Sequence, residues 1–123
     1  MIMLDTNFLI ALEEPGGEAD RRAREWLGKG WPLGVCSIVW SEYLFGPLSA
    51  EKKTAADVLI SWKEPFGVED APLAAHLFNR TGRRRGTFVD CMIAAVAIRC
   101  QAQFATFNRD DFTSFIDMGL NLL

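Results

Sequence analysis

The sequence contains one histidine in 123 residues, and that scarcity removes several chemistries at once. A pair of histidines acting as acid and base on a phosphodiester is excluded, and no Ser-His-Asp set can be assembled with conviction. The three cysteines, Cys36, Cys91 and Cys100, are odd in number and form no CxxC pair. A structural zinc site is therefore not expected, and the thiols read as reduced core residues in a reducing compartment. Basic charge is not in excess either. Thirteen Lys and Arg stand against 16 Asp and Glu, for a formal net charge of -3, so any nucleic-acid binding has to be local or metal-bridged. No run approaches the roughly 20 apolar residues that span a bilayer. The first apolar run breaks at Asp5 with no basic stretch ahead of it, unlike a signal peptide. There is no Gly-rich phosphate loop, internal repeat or low-complexity segment. These absences point to a cytoplasmic protein.

What is present is an ordinary globular composition, 50% hydrophobic and 24% charged, long enough to bury a core. A single domain over residues 1–123 is expected. Met1 to Leu4 reads as a short buried strand ending on Asp5. A short helix over 7–12 stops at Glu14-Pro15-Gly16-Gly17, and a second runs from Glu18 to Leu27. Trp31 to Cys36 reads as a strand, with Ser37 as N-cap of a helix to Phe45. Another helix is expected from Ser49 or Ala50 to Trp62, then a weak strand over Phe66-Gly67-Val68. Asp70 is read as capping a helix to Arg80, and Thr87 as capping a strongly apolar helix to Arg99 or Cys100. Gln103 to Phe107 reads as a strand, and Leu120 to Leu123 as a short edge strand. Short apolar strands alternating with helices argue for an α/β fold with a mostly parallel sheet covered on both faces.

Against that frame, several acids stand where apolar residues belong. Asp5 closes a buried strand. Glu42 lies four residues after Ile38 and three before Phe45, on an apolar helix stripe. Asp90 lies three residues before Ile93 and seven before Ala97, in a first turn where the helix dipole favours an anion. An unpaired buried carboxylate costs several kcal/mol. The basic residues cluster elsewhere, so a divalent cation such as Mg²⁺ or Mn²⁺ fits hard oxygen donors of this kind. Asn108, Asp110 or Asp111, leaving the last good strand, can add a fourth contribution. Each residue also has a plainer reading: an Asx-turn for Asp5, a snorkelling Glu42, a dipole-stabilised surface Asp90, turn residues at Asp110 and Asp111. His76 reads as a helix-surface or partly buried histidine and Cys91 as core.

The segments Met1-Ile2-Met3-Leu4-Asp5-Thr6-Asn7, Ser41-Glu42-Tyr43-Leu44-Phe45-Gly46, Asp90-Cys91-Met92-Ile93-Ala94-Ala95-Val96-Ala97 and Ala105-Thr106-Phe107-Asn108-Arg109-Asp110-Asp111-Phe112 together resemble the PIN-domain ribonucleases. Within these they look most like VapC-type toxins of toxin–antitoxin pairs. Order and spacing agree over essentially the whole chain. The resemblance implies a three-layer α/β/α fold with Asp5, Glu42 and Asp90 as metal-binding acids. Thr6, Asn7 and Thr106 would be nearby support. Many members of the family carry an acid two residues after the strand-end threonine, where this chain has Asn108. The resemblance favours Asp111 as the fourth acid, with Asn108 as a direct or water-mediated ligand and Asp110 behind both. That departure leaves a second metal open.

The implied activity is metal-dependent cleavage of RNA phosphodiester bonds, with a homodimer and a cognate antitoxin as partners and no membrane. Arg83, Arg84 and Arg85 precede the Asp90 helix. They read as a solvated loop or as a contact to the RNA backbone. Two other classes compete: a non-catalytic partner-binding module of a repressor complex, with Trp26, Trp31, Trp40, Trp62 and Phe45 supplying apolar surface, and a metal-dependent phosphatase.

Overall fold

The computed structural model describes residues 1–123. Its centre is a five-stranded sheet in the order β3-β2-β1-β4-β5, with every neighbouring pair parallel. The strands are β1 (Ile2–Leu4), β2 (Leu33–Cys36), β3 (Trp62–Glu64), β4 (Gln103–Ala105) and β5 (Asn121–Leu122). Six α-helices connect or follow them: α1 (Thr6–Ala11), α2 (Glu18–Gly28), α3 (Ser37–Phe45), α4 (Ala50–Leu59), α5 (Ala71–Arg80) and α6 (Phe88–Arg99). Short 3-10 turns occupy Val68–Asp70, Arg109–Asp111 and Thr113–Met118.

Successive strand residues point to opposite faces. Ile2, Met3 and Leu4 are nonetheless all fully buried, as are Leu33, Val35 and Cys36. Both faces of the sheet are therefore covered, which gives the expected three-layer α/β/α arrangement. The most buried helix is α6, where Cys91, Ile93, Ala94, Ala95, Val96 and Ala97 are all within 1% of full burial. No helix is long and apolar enough to cross a membrane. The cysteines are free, with Cys36 and Cys91 buried and Cys100 partly so, and His76 is exposed on α5.

Several boundaries differ from the sequence reading. The helix expected to reach Trp62 ends at Leu59, and Trp62 begins β3 instead. The Ser61 amide donates to the Leu33 carbonyl at 2.8 Å, drawing the chain alongside β2, where Trp62 pairs with Gly34. A Cβ at Gly34 would sit 2.0 Å from the Trp62 ring, so the glycine makes room for the indole. Phe66-Gly67-Val68 is accordingly not a strand. Ser37 is the first helical residue of α3 and not its N-cap; its hydroxyl accepts from the Phe66 amide at 2.9 Å. Trp31 precedes β2 and is exposed.

Asp70 does not cap α5 with its side chain. It is buried and accepts from the Gly67 amide at 2.9 Å and from Arg99 Nε at 2.6 Å and Nη2 at 3.1 Å. Arg99 also donates to Glu64 and to the Pro65 carbonyl. One guanidinium thereby ties the end of α6 to the segment that follows β3. Burial pushes the Asp70 carboxyl up, but the Arg99 and Gly67 hydrogen bonds outweigh it and hold the group below the ordinary carboxylate range.

Candidate metal centre

The strand order turns back on itself at β1. The chain moves from β1 to β2 to β3 on one side, then crosses to β4 and β5 on the other. In open α/β sheets, ligands bind outside the carboxyl ends of the strands at such a switch point. Asp5 and Thr106 lie there, one residue beyond the ends of β1 and β4.

Asp5 is 7% exposed and is fixed on both oxygens. Its Oδ1 accepts from the Thr6 amide at 2.8 Å, the hydrogen bond of an N-cap on α1. Its Oδ2 accepts from Thr106 Oγ1 at 2.7 Å. The same Thr106 hydroxyl accepts from the Asn108 amide at 3.0 Å and lies 3.4 Å from Asn7 Nδ2. Asn7 Oδ1 in turn takes the Phe107 amide at 3.1 Å. Asn7 and Thr106 thus knit the start of α1 to the end of β4. Thr6 reaches the other way, donating from Oγ1 to Glu42 Oε1 on α3 at 2.7 Å. All three residues expected to support the site touch one of its acids or one another.

Asp90 is half-buried in the first turn of α6. Its carboxyl is pushed up to about 6, first by burial and then by the charges of Asp5, Asp111 and Glu42. Asp5 is raised as well: burial lifts it, the Thr106 and Thr6 hydrogen bonds pull it down, and the charges of Glu42 and Asp111 add to the rise. Asp5 and Asp90 therefore each feel the charges of Glu42 and Asp111. The ion pairs of the protein lie elsewhere, on α2, α4 and around Arg99. No three of the carboxylates are drawn to coordination spacing. Asp5 and Glu42 are turned toward their hydrogen-bond donors. The donor set is all hard oxygen and none of the four acids is in an ion pair, which fits Mg²⁺ or Mn²⁺.

Asp111 ends an exposed 3-10 turn, and Asn108 caps it from an exposed position. Asp90, Asp110 and Asp111 line a cleft of about 240 Å³ together with Arg80, Arg84 and Thr87. The basic run of the sequence thus divides. Arg84 faces the acidic cleft. Arg83 is held on α5, its side chain donating to Asn79 and lying over the Phe78 ring at 5.3 Å. Arg85 is exposed. Arg80, which the sequence reading passed over, shares the cleft with Arg84; its place at the end of α5 was the available signal.

Other expectations are corrected. Phe45 is 82% exposed, so the stripe carrying Glu42 is only partly buried. Phe88 and Val89, at the start of α6, are both more than 40% exposed. The apolar groove of the molecule, about 230 Å³, is not built from tryptophans. Leu9, Leu12, Tyr43, Ala55, Ala56 and Leu59 from α1, α3 and α4 line it, with Glu13 and Lys52 paired at its edge.

Comparison with known proteins agrees with this architecture. The model of the PIN domain family matches residues 2–116. No curated protein sequence matches. Among solved structures, VapBC2 from Rickettsia felis, bound to a DNA fragment from its promoter, is 22% identical with a TM-score of 0.75, covering 100% of this chain and 98% of that one. VapBC-1 from nontypeable Haemophilus influenzae is 23% identical with a TM-score of 0.73, covering 100% and 97%. Mycobacterium tuberculosis VapC20, a sarcin-ricin loop cleaving toxin, is 18% identical with a TM-score of 0.65, covering 98% of each chain. These identities carry the shared fold. The family match spans nearly the whole sequence, and the protein belongs to the PIN domain family.

Proposed function

We propose that the protein is a metal-dependent endoribonuclease, the toxin of a type II toxin–antitoxin pair, working in the cytoplasm. The observation that carries this reading is that Asp5 and Asp90, each raised by the charges of Glu42 and Asp111, stand with those two acids outside every ion pair of the protein. These four would hold Mg²⁺ or Mn²⁺, with Asn108 beside them. When bound, the ion supplies an activated water and charge relief at the phosphate. The chain's own residues prepare the place. Thr106 and the Thr6 amide fix both oxygens of Asp5, and the Thr6 hydroxyl orients Glu42. Asp90, its carboxyl raised to about 6, would be one of the groups to hold the ion, as a carboxylate. Arg84 and Arg80, which line the same cleft as Asp90 and Asp111, offer the RNA backbone positive charge, while Arg83 is already engaged with α5.

A protein partner is supported by the apolar groove between α1, α3 and α4. Similar solved structures include a toxin–antitoxin complex and a member of the VapBC family of toxin–antitoxin systems, and an antitoxin together with a homodimer is the reading carried over to this chain. A module acting only through such a partner, or a phosphatase, predicts different behaviour. The test is purified protein with Mg²⁺ or Mn²⁺ on a broad RNA panel, beside Asp5→Asn. Wild type is expected to nick RNA, and Asp5→Asn to be slower by at least about 100-fold, more than the loss of a supporting residue brings. Equal cleavage by both, or none by wild type, defeats the enzyme reading. Turnover of a chromogenic phosphate monoester without RNA nicking points to the phosphatase.

A further inference from the structure

Beside the acids, the rim carries an aromatic ring with no part in the proposed metal centre. Phe107 follows Thr106 at the end of β4 and is 40% exposed. A single exposed apolar residue is ordinary, but this one is fixed from behind. Its ring lies parallel to Phe8, with centroids 4.9 Å apart and planes 8° apart. Phe8 is fully buried and stacks in turn on Trp26 at 5.5 Å. Arg22 sits against the same stack, 5.3 Å from the Phe8 ring and 5.0 Å from that of Trp26. The backbone is held as well, since the Phe107 amide donates to Asn7 Oδ1. The result is an aromatic shelf backed by Phe8, one residue from the hydroxyl that fixes Asp5, and still 40% exposed.

We propose that Phe107 is a stacking platform for a nucleobase of single-stranded RNA next to the cleaved phosphate. The proposal rests on the ribonuclease reading and adds how substrate is held. With a net charge of -3 and four acids at the site, Coulombic attraction alone holds RNA poorly. Stacking on an aromatic face does not depend on charge and tolerates any base. Sequence-readable RNA presents its bases unstacked, and an exposed aromatic takes them face to face. A ring already ordered by Phe8 loses little freedom when the base arrives.

The experiment measures binding of a labelled single-stranded RNA, one that the wild type cuts, to Asp5→Asn protein in Mg²⁺ by fluorescence anisotropy. In that background Phe107→Leu keeps apolar bulk against Phe8 and removes the aromatic face, and Phe107→Tyr restores it. Phe107→Leu is expected to weaken binding about ten-fold, and Phe107→Tyr to match the parent. An RNA with an abasic nucleotide beside the cut should lose a similar factor on the parent and nothing further on Phe107→Leu. Should Phe107→Leu fail to fold by circular dichroism, the abasic penalty on the parent decides alone. Equal affinity of Phe107→Leu and parent overturns the proposal, as does the absence of any abasic penalty. Intact RNA affinity with weakened self-association would assign the ring to a protein contact and also overturns it. Absence of RNA cleavage by wild type would instead remove the ribonuclease reading beneath.

Discussion

At the residue scale, the hydroxyl of Thr106 governs the orientation of Asp5, the most buried acid of the proposed site. It donates to Asp5 while accepting from Asn108 and Asn7, so one small side chain sets three neighbours. Thr106→Val keeps the shape and removes the donor. Leaving Asp5 Oδ2 unsatisfied is expected to cost about 1–3 kcal/mol of stability, read as a lower melting temperature. Loss of this supporting bond should lower nuclease activity about 10- to 100-fold; a fully active Val variant would count against the role. Asp90 gives a second prediction, in pH. Its folded pKa, about 6, lies above its unfolded value. The folded state therefore binds more protons between those values, and stability falls as pH rises through that window. Protein stripped of metal with EDTA should melt higher at pH 5 than at pH 7, and Asp90→Asn should flatten that difference. Divalent metal should bind more weakly as pH drops below about 6.

At the scale of elements, the end of α6 is tied down by the Arg99 guanidinium. Asp70 is fully desolvated and its pKa is depressed. Its contribution is therefore present above the unfolded pKa and lost as pH falls through the folded one. Asp70→Asn is expected to destabilise by about 1–3 kcal/mol at pH 7, since it removes the charge from the buried acceptor of two Arg99 hydrogen bonds while Arg99, 30% exposed, keeps Glu64 and the Pro65 carbonyl. The deficit should shrink in acid, where wild-type Asp70 also becomes neutral. A deficit that is constant down to pH 3 would show that packing, not charge, is at stake. This element was only half legible. Alanine and aliphatic residues marked α6 clearly, but Asp70 looks like a helix cap because Ala71-Pro72 follows it. Only the approach of Arg99 shows its other duty. The Trp62 boundary failed for a similar reason: Trp62-Lys63-Glu64 has no strand pattern, and what makes it a strand is the space above Gly34 on a neighbouring strand.

At the scale of the whole molecule, an acidic protein is proposed to bind a polyanion, so the placement of its few free cations matters more than their number. Arg80 and Arg84 share a cleft with Asp90, Asp110 and Asp111. Arg83 is occupied on α5. Replacing Arg80 and Arg84 together by alanine should weaken RNA binding and reduce the slope of log affinity against log salt by about 1.4, at about 0.7 per single-strand phosphate contact. Arg83→Ala should leave the slope unchanged. The opposite ranking in titrations at several salt concentrations would place the RNA path on the other side of the loop.

The sequence by itself determined the parallel α/β frame and nominated Asp5, Glu42 and Asp90 through local marks, an acid where a buried strand ends or an acid on an apolar helix stripe. Thr6, Asn7 and Thr106 were nominated only through the family resemblance. The four-segment pattern also pointed to the PIN domain family, which the match over residues 2–116 bears out. Tertiary structure alone decided the rest. The order β3-β2-β1-β4-β5 puts Asp5 beside Thr106. Folding also divides Arg83 from Arg84, brings Arg80 to the acids and lays Phe107 flat on Phe8. These are contacts between segments far apart in the chain. They depend on how elements pack, and no local periodicity encodes that.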